Sequence, residues 1–456
     1  MHKFRVQTVT LTADSKPAAL LAMQPDFVIN SVRTTQPTAL DFWETARLLG
    51  FPSALWRLPN HHDKHLIVSL DKTLPRLSVD LEELPAGFAL SPFDNLDTGT
   101  DSPARTLFMR ADIHAVFSEA GPASHTVSPQ IGELGEAAEQ FQTLLTDSQS
   151  RPAPKRPIPS RPVPLPDPEA QDRYMQGVAK AVEAMQRGEL RKVVLSRTKR
   201  VSFTDAPNAV AVFDQLCATY PTAFVSAVYL AETNQIWISA TPERLVSNSA
   251  SGIFQTVSLA GTQSALEPDG TPKRPSEAMW SQKEIEEQAL VSRYIIECFK
   301  RIRLREYLEE GPKTIIAGNL MHLSTCFTVD TQAVRYPQLG TVMLRLLHPT
   351  SAVCGMPRDA AFSLIRRSEI HNREFYAGFL GPVNIDSSDA RTTRYDLEQA
   401  SAATNLFVHI RCMKLEGNVA TLYAGAGLTE DSVPEREWQE TEMKCQTLLK
   451  VLNEMP

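Results

Sequence analysis

Two short stretches of this sequence set carboxylates at helical spacing. EWQETEMK (437–444) places Glu437, Glu440 and Lys444 at i, i+3 and i+7; KEIEEQALV (283–291) places Glu284 and Glu287 at i, i+3. On a helix each set shares one face. A solvated ion-pair stripe is the ordinary use of such a face. Two helices that each offer paired carboxylates have another use, which is to hold a hard divalent cation. Mg²⁺ takes one or two carboxylates, several waters and an anionic group from a substrate. Ala289, Leu290, Val291, Ile295 and Ile296 follow Glu287, so this helix is embedded rather than free.

Other charges sit in apolar runs. LFVHIRCMKL reads as a strand with Arg411 inside it, and a buried arginine is costly unless paired. Its planar fork suits a carboxylate. KVVLSR opens a strand with Lys192, TPERL closes one with Glu243, and SLAGT closes another with Gly261 and Thr262. The small-residue turn Ala424-Gly425-Ala426-Gly427 lets a ligand approach backbone N–H groups. His348 precedes a proline in LLHPTSAVCGMP, where a hydrogen-bonded structural histidine is the ordinary reading.

The elements that must position these groups follow from pattern. Tyr174, Val178, Val182 and Met185 recur at helical spacing before a stop at Gly188. KVVLSRTKRV, AFVSAVYL, QIWISATPE and GIFQTVSLAGT are β-rich. A long helix is predicted over about 276–303, and a hairpin over 406–428 around Glu416-Gly417-Asn418. The last helix is predicted to start near Pro434, with Ser432 and Glu435 as a capping box and Trp438, Cys445, Leu448, Leu449 and Leu452 buried. Strands in runs with flanking helices predict an α+β fold with mainly antiparallel sheets. Residues 1–150 mix strand-like runs (FRVQTVTL, HLIVSL) with helical ones (ALDFWETARLLG, ELGEAAEQFQTLL) and form a variable N-terminal lobe. Residues 151–168, RPAPKRPIPSRPVPLPDP, read as an extended proline-rich connector. Residues 169–456 form the region that carries the chemistry.

The totals exclude some classes. A net charge of -7 over 456 residues argues against a general nucleic-acid binder. No apolar run approaches a membrane span, and the N-terminus lacks a signal-peptide pattern. Cys217, Cys298, Cys326, Cys354, Cys412 and Cys445 show no CxxC spacing, which suits reduced thiols and a cytoplasmic setting.

Taken in order, KVVLSR, TPERL, SLAGT, KEIEEQ, LLHPTSAVCGMP, REFYAGFLGPV, IRCMKL, YAGAG and EWQETEMK resemble the chorismate-utilising enzymes, from about residue 170 to the C-terminus. That family includes isochorismate, salicylate, anthranilate and aminodeoxychorismate synthases. The resemblance implies a two-lobed fold with a β-sandwich core flanked by helices, both lobes building one composite domain. It also implies chorismate as substrate and Mg²⁺ held by Glu287 and Glu440, with Glu284 and Glu437 supporting nearby. Arg411 and Lys444 would meet substrate carboxylates. Gly261, Thr262 and Gly425 would form the close wall of the pocket, and His348 would lie beside the ring. Gln288 departs from the histidine that many members carry after the metal glutamate.

Within the family, Lys192 resembles the base of members that add water; aminating members have glutamine there. Ammonia is already a nucleophile, whereas water needs a proton acceptor. Glu243 resembles the acid that protonates the leaving 4-hydroxyl. The resemblance therefore implies an isochorismate synthase with no glutamine amidotransferase subunit. REFYAGFLGPVN and LFVHIRCMKL are most like the menaquinone-type enzymes, and siderophore-pathway enzymes share the chemistry. Salicylate synthase, which then eliminates pyruvate, is the first alternative. An aminating synthase and a non-catalytic chorismate-binding protein follow.

Overall fold

The computed structural model describes residues 36–94, 105–118, 124–127, 134–150, 161–267, 269–317, 320–385 and 402–455. FRVQTVTL and residues 151–160 of the proline-rich segment lie outside them. Among the described residues the strands form two sheets, of eleven and nine strands. The larger runs from Gly355–Met356 through Lys192–Ser202, Val419–Leu428, Cys412–Glu416, Gln235–Thr241, Phe224–Leu230, Ser53–Arg57, Lys64–Val68 and Ile113–Phe117 to Ser124–Val127. Val163–Pro164 pairs beside Ser202 and Val201. The smaller runs from Leu308–Ala317 through Leu320–Asp330, Ile253–Ser264, Arg244–Ser249, Ala402–Val408, Phe379–Val383 and Gly87–Ser91 to Thr106–Arg110 and Arg76–Leu77. Residues before 150 thus supply strands to both sheets, and neighbouring strands such as Lys192–Ser202 and Val419–Leu428 pair antiparallel.

Side-chain alternation makes the larger sheet two-faced. Phe224, Val228 and Trp237 point into the core shared with the smaller sheet. Phe224 stacks on Phe407 across that core, with centroids 4.1 Å apart. Val225, Ala227 and Ile238 point the other way, into a second core built with Phe42, Trp43, Phe213, Leu448 and Val451 of the covering helices. The fold is α+β: antiparallel sheets packed face to face, with helices outside. No helix among the described residues is long and apolar enough to cross a membrane.

Three predicted elements differ in detail. The long helix begins at Gln282, not 276, because Ser281 and Glu284 close a capping box there, and Pro275–Glu277 forms a separate 3₁₀ turn. The terminal helix starts at Pro434 as predicted, but its N-cap is Val433 without a side-chain cap; the Ser432 hydroxyl accepts instead from the Thr429 N–H at 3.1 Å. LFVHIRCMKL is not one strand. Ala402–Val408 belongs to the smaller sheet and Cys412–Glu416 to the larger. The chain crosses between them with Arg411 at φ 50°. A bulky residue at positive φ is unusual, and such strain gathers at functional sites.

The stacked pair across the sheets gives the first prediction. Phe407→Ala should lower the unfolding free energy by about 3–5 kcal/mol in a denaturant titration. A loss below about 1 kcal/mol would mean the shared core does not depend on this contact.

Candidate active site

Lys192 opens the strand that lies against Gly355–Met356 at one end of the larger sheet. Its side chain is wholly buried, and Nζ donates to Glu287 Oε1 at 2.9 Å. Glu287 lies one turn past the capping Glu284, on the helix packed against Ile253–Ser264. The pair passes over Gly427. A Cβ there would lie 2.6 Å from Glu287 Oε1 and 3.3 Å from Lys192 Cε, so any side chain would displace the Glu287 carboxylate from this position. Burial pushes the Glu287 carboxyl up, but Lys192 foremost, then Lys444 and Lys283, hold it below the usual range.

Glu243 leaves the strand Gln235–Thr241, and its side chain is buried. Burial raises its pKa to about 7, against the pull of Lys192, Arg411 and Lys444. Arg411 is buried, and among the described residues its guanidinium has no hydrogen-bond or ion-pair partner. Burial lowers its pKa against the pull of Tyr376, Glu440 and Glu243, and a buried cation without a direct partner calls for an anion. Lys444 Nζ donates to the Gly425 carbonyl at 2.9 Å and to Glu440 Oε1 at 2.5 Å. Lys283 Nζ bonds Glu437 Oε1 at 2.8 Å. Burial would lower the Lys283 pKa, yet Glu437, Glu440 and Glu287 together raise it.

Lys192, Glu243, Glu287, Arg411, Glu437, Glu440 and Lys444 therefore form one electrostatic cluster. Glu284 serves the helix start: its Oε2 accepts from the Ser281 N–H at 2.8 Å, the Ser281 hydroxyl at 2.9 Å and Gln263 Nε2 at 3.2 Å. Gly261 takes φ 70° where the register shifts between Ala260 and Gln263, beside Trp280 and Glu284. Thr262 Oγ1 lies 3.4 Å from His322 Nδ1. His348 is held elsewhere: its Nε2–H donates to the Pro92 carbonyl at 3.3 Å, and its ring meets Phe379 edge-on.

The histidine that joins this cluster is His322, which the sequence reading missed. Its only signal was a histidine between Met321 and Leu323 in a buried strand. Nδ1–H donates to the Gly261 carbonyl at 2.7 Å, which fixes the tautomer and leaves Nε2 as an acceptor. Burial, then Arg411, lowers its pKa to about 3, so the ring is neutral. Nε2 is buried without a partner among the described residues. His322 and Arg411 line one cavity with Tyr220, Pro242 and Thr447. Lys283 was also missed as part of the site, and Gly427, read as part of a small-residue turn, lies instead within the strand Val419–Leu428. Gln288 ties its helix to two strands, its Nε2 donating to Ser258 Oγ at 2.7 Å and Thr325 Oγ1 at 3.0 Å.

Among the described residues no group of three or more His, Cys, Asp or Glu side chains is gathered as a ready metal cage. Mg²⁺ does not need one, since water and substrate complete its oxygen shell. The donor chemistry fits: Glu287 and Glu440 converge from two helices, and the buried Glu437 Oε2 has no partner among the described residues.

A family model described as chorismate binding enzyme matches residues 123–453. Isochorismate synthase EntC of Escherichia coli strain K12 is 28% identical over 283 residues, covering 62% of this chain and 67% of that protein. Isochorismate synthase MenF of the same organism is 29% identical over 287 residues, covering 61% of this chain and 60% of that protein. The solved structure of MenF, the menaquinone-specific isochorismate synthase from Escherichia coli, superposes with a TM-score of 0.67 at 22% identity, over 91% of each chain.

The raised pKa of Glu243 predicts a pH dependence of stability. Below an unfolded value near 4.5 both states hold the proton; between 4.5 and about 7 only the folded state does; above that neither does. Wild type should therefore lose stability relative to Glu243→Gln as pH rises through this window, by on the order of 3 kcal/mol. Urea titrations at about pH 5 and about pH 8 measure it. A difference that does not change with pH would show that Glu243 titrates normally.

Proposed function

We infer that this chain, which belongs to the chorismate binding enzyme family, is an isochorismate synthase that uses Mg²⁺. The observation that carries the reading is one buried cluster holding a lysine and a carboxylic acid that burial keeps protonated up to about pH 7, Lys192 and Glu243. Water addition at C2 of chorismate needs a base for the incoming water. Loss of the C4 hydroxyl needs an acid for the outgoing one. Lys192 is the group placed to take a proton from water as the oxygen bonds to C2. The ring double bonds shift, the C4–O bond breaks, and Glu243 gives its proton so that water leaves. One water enters and one departs, which balances the isomerisation.

The remaining residues hold the substrate. Arg411, without a described partner, and Lys444 offer positive charge to its carboxylates. His322 Nε2, an acceptor by its tautomer, suits a substrate hydroxyl. Glu287 and Glu440 would hold the metal, with Glu437 beside them. When bound, the ion supplies charge that neutralises the ring carboxylate and polarises the conjugated system. Lys192 in place of the aminating enzymes' glutamine favours water over ammonia, and with it a chain that works without an amidotransferase. The likeness of REFYAGFLGPV and LFVHIRCMKL to menaquinone-type enzymes favours menaquinone supply over siderophore supply as the use of the product.

Purified protein with chorismate and Mg²⁺, without glutamine or ammonia, should give isochorismate, resolved by chromatography. Salicylate and pyruvate as the sole products would replace this reading with salicylate synthase. Lys192→Gln should lose at least about 100-fold in hydration rate while still binding chorismate. Full activity in that variant would remove Lys192 as the base. Glu440→Ala should lose the metal-dependent rate, with added Mg²⁺ restoring it only in part; a full return at raised Mg²⁺ would assign Glu440 a minor share of the metal site.

A further inference from the structure

Behind Glu243 lies a second cavity that the reaction described above does not use. Its walls come from the strands after Glu243, the Gln282–Arg301 helix and the turn that follows Leu347. It has room for water and for nothing larger. Most polar groups on its walls are already engaged. The Thr256 hydroxyl donates to the Leu245 carbonyl at 2.7 Å, the Tyr294 hydroxyl to the Leu346 carbonyl at 2.7 Å, and Arg244 to Gln255 at 3.1 Å. Two remain. The Glu243 carboxyl makes no hydrogen bond among the described residues, and Thr350 Oγ1 is buried without a partner among them.

We propose that a water in this cavity bridges the Thr350 hydroxyl and the Glu243 carboxyl, and that Thr350 is a positioning residue for the acid. Buried waters sit where otherwise unsatisfied polar groups converge, and such bridges are nearly as good as direct bonds. This partner is neutral, unlike the groups that face Glu243 from the reaction side: Lys192, Arg411, Lys444 and Glu287. Water donates to the carbonyl oxygen of the carboxylic acid, leaving its O–H free to face C4, and goes on donating to the carboxylate. It therefore holds the same orientation before and after the proton leaves for C4, without the charge that would strip the proton early. Within the cavity, Arg244 and Tyr294 are the charged and titratable groups, and both are bonded away from Glu243.

The proposal rests on Glu243 as the acid of the reaction, and two variants test it. Thr350→Val keeps the shape and removes the hydroxyl; Thr350→Ser restores it. With Val, kcat should fall about tenfold while KM stays within about twofold. The alkaline limb of the pH–rate profile should move to higher pH, because a drier cavity disfavours the carboxylate further. Ser should recover both. An unchanged kcat and limb in Val overturns the bridge, and so does a fall in kcat with the limb unmoved, which is what lost packing alone produces. A readout without turnover separates this from the functional reading. The carboxyl stretching band, identified by its loss in Glu243→Gln, should rise in wavenumber in Thr350→Val and return in Thr350→Ser. If wild type makes no isochorismate, that band still decides the bridge, and a band that does not move rejects it.

Discussion

The site is organised by one buried ion pair, Lys192 with Glu287. A lysine with its side chain wholly inside the protein needs a compensating charge. That charge arrives from a helix that packs on the other sheet, so the pair bridges the two halves of the sandwich. The requirement spreads outward. Gly427, without a side chain, leaves the two groups room to meet where they do. The helix must be capped at Ser281, which sets Glu287 in its second turn, and Gln288 must clip that turn to Ser258 and Thr325. Moving any of these would leave a buried charge alone, which costs more than a lost surface salt bridge.

The same balance repeats across the cluster. Glu287 is matched by Lys192, Glu440 by Lys444 and Glu437 by Lys283. Such pairing keeps three carboxylates close together without mutual repulsion opening the site. The two groups left outside it are the informative ones. Arg411 is a cation without a described partner, and Glu243 is an acid whose proton burial retains up to about pH 7. One is suited to receive an anion and the other to give up a proton.

Much of the fold was legible in the sequence because its strands are long and apolar and its helices periodic. KVVLSRTKRV, AFVSAVYL and QIWISAT are strands, and Glu437, Glu440 and Lys444 do share a helix whose buried side includes Cys445, Leu448 and Leu452. Where the sequence misled, a long-range contact decided the outcome. LFVHIRCMKL has unbroken strand composition, yet it changes sheets at Arg411, because its two halves pair with strands of different sheets. Capping went to Ser281 in one helix and failed at Ser432 in the other, where the Thr429 turn takes the hydroxyl. His348 and His322 both sit in apolar runs, and only the partner carbonyls, Pro92 against Gly261, separate a structural ring from one that faces the cavity.

The sheet change at Arg411 also explains why this site sits between the sheets. A residue in a regular strand of either sheet would point to a face fixed by alternation. Arg411, between the two strands and at positive φ, is free of both alternations. Its carbonyl is anchored by the Ala240 N–H at 3.1 Å, while its side chain reaches the cavity that His322 lines from the smaller sheet. The strained backbone thus places a permanent cation at the seam where groups from both sheets converge. A lysine there would lose the planar fork that suits a carboxylate. Glycine would relieve the strain and remove the charge together. The strain is tolerated because the position, more than the local conformation, is what binding an anion at that seam demands.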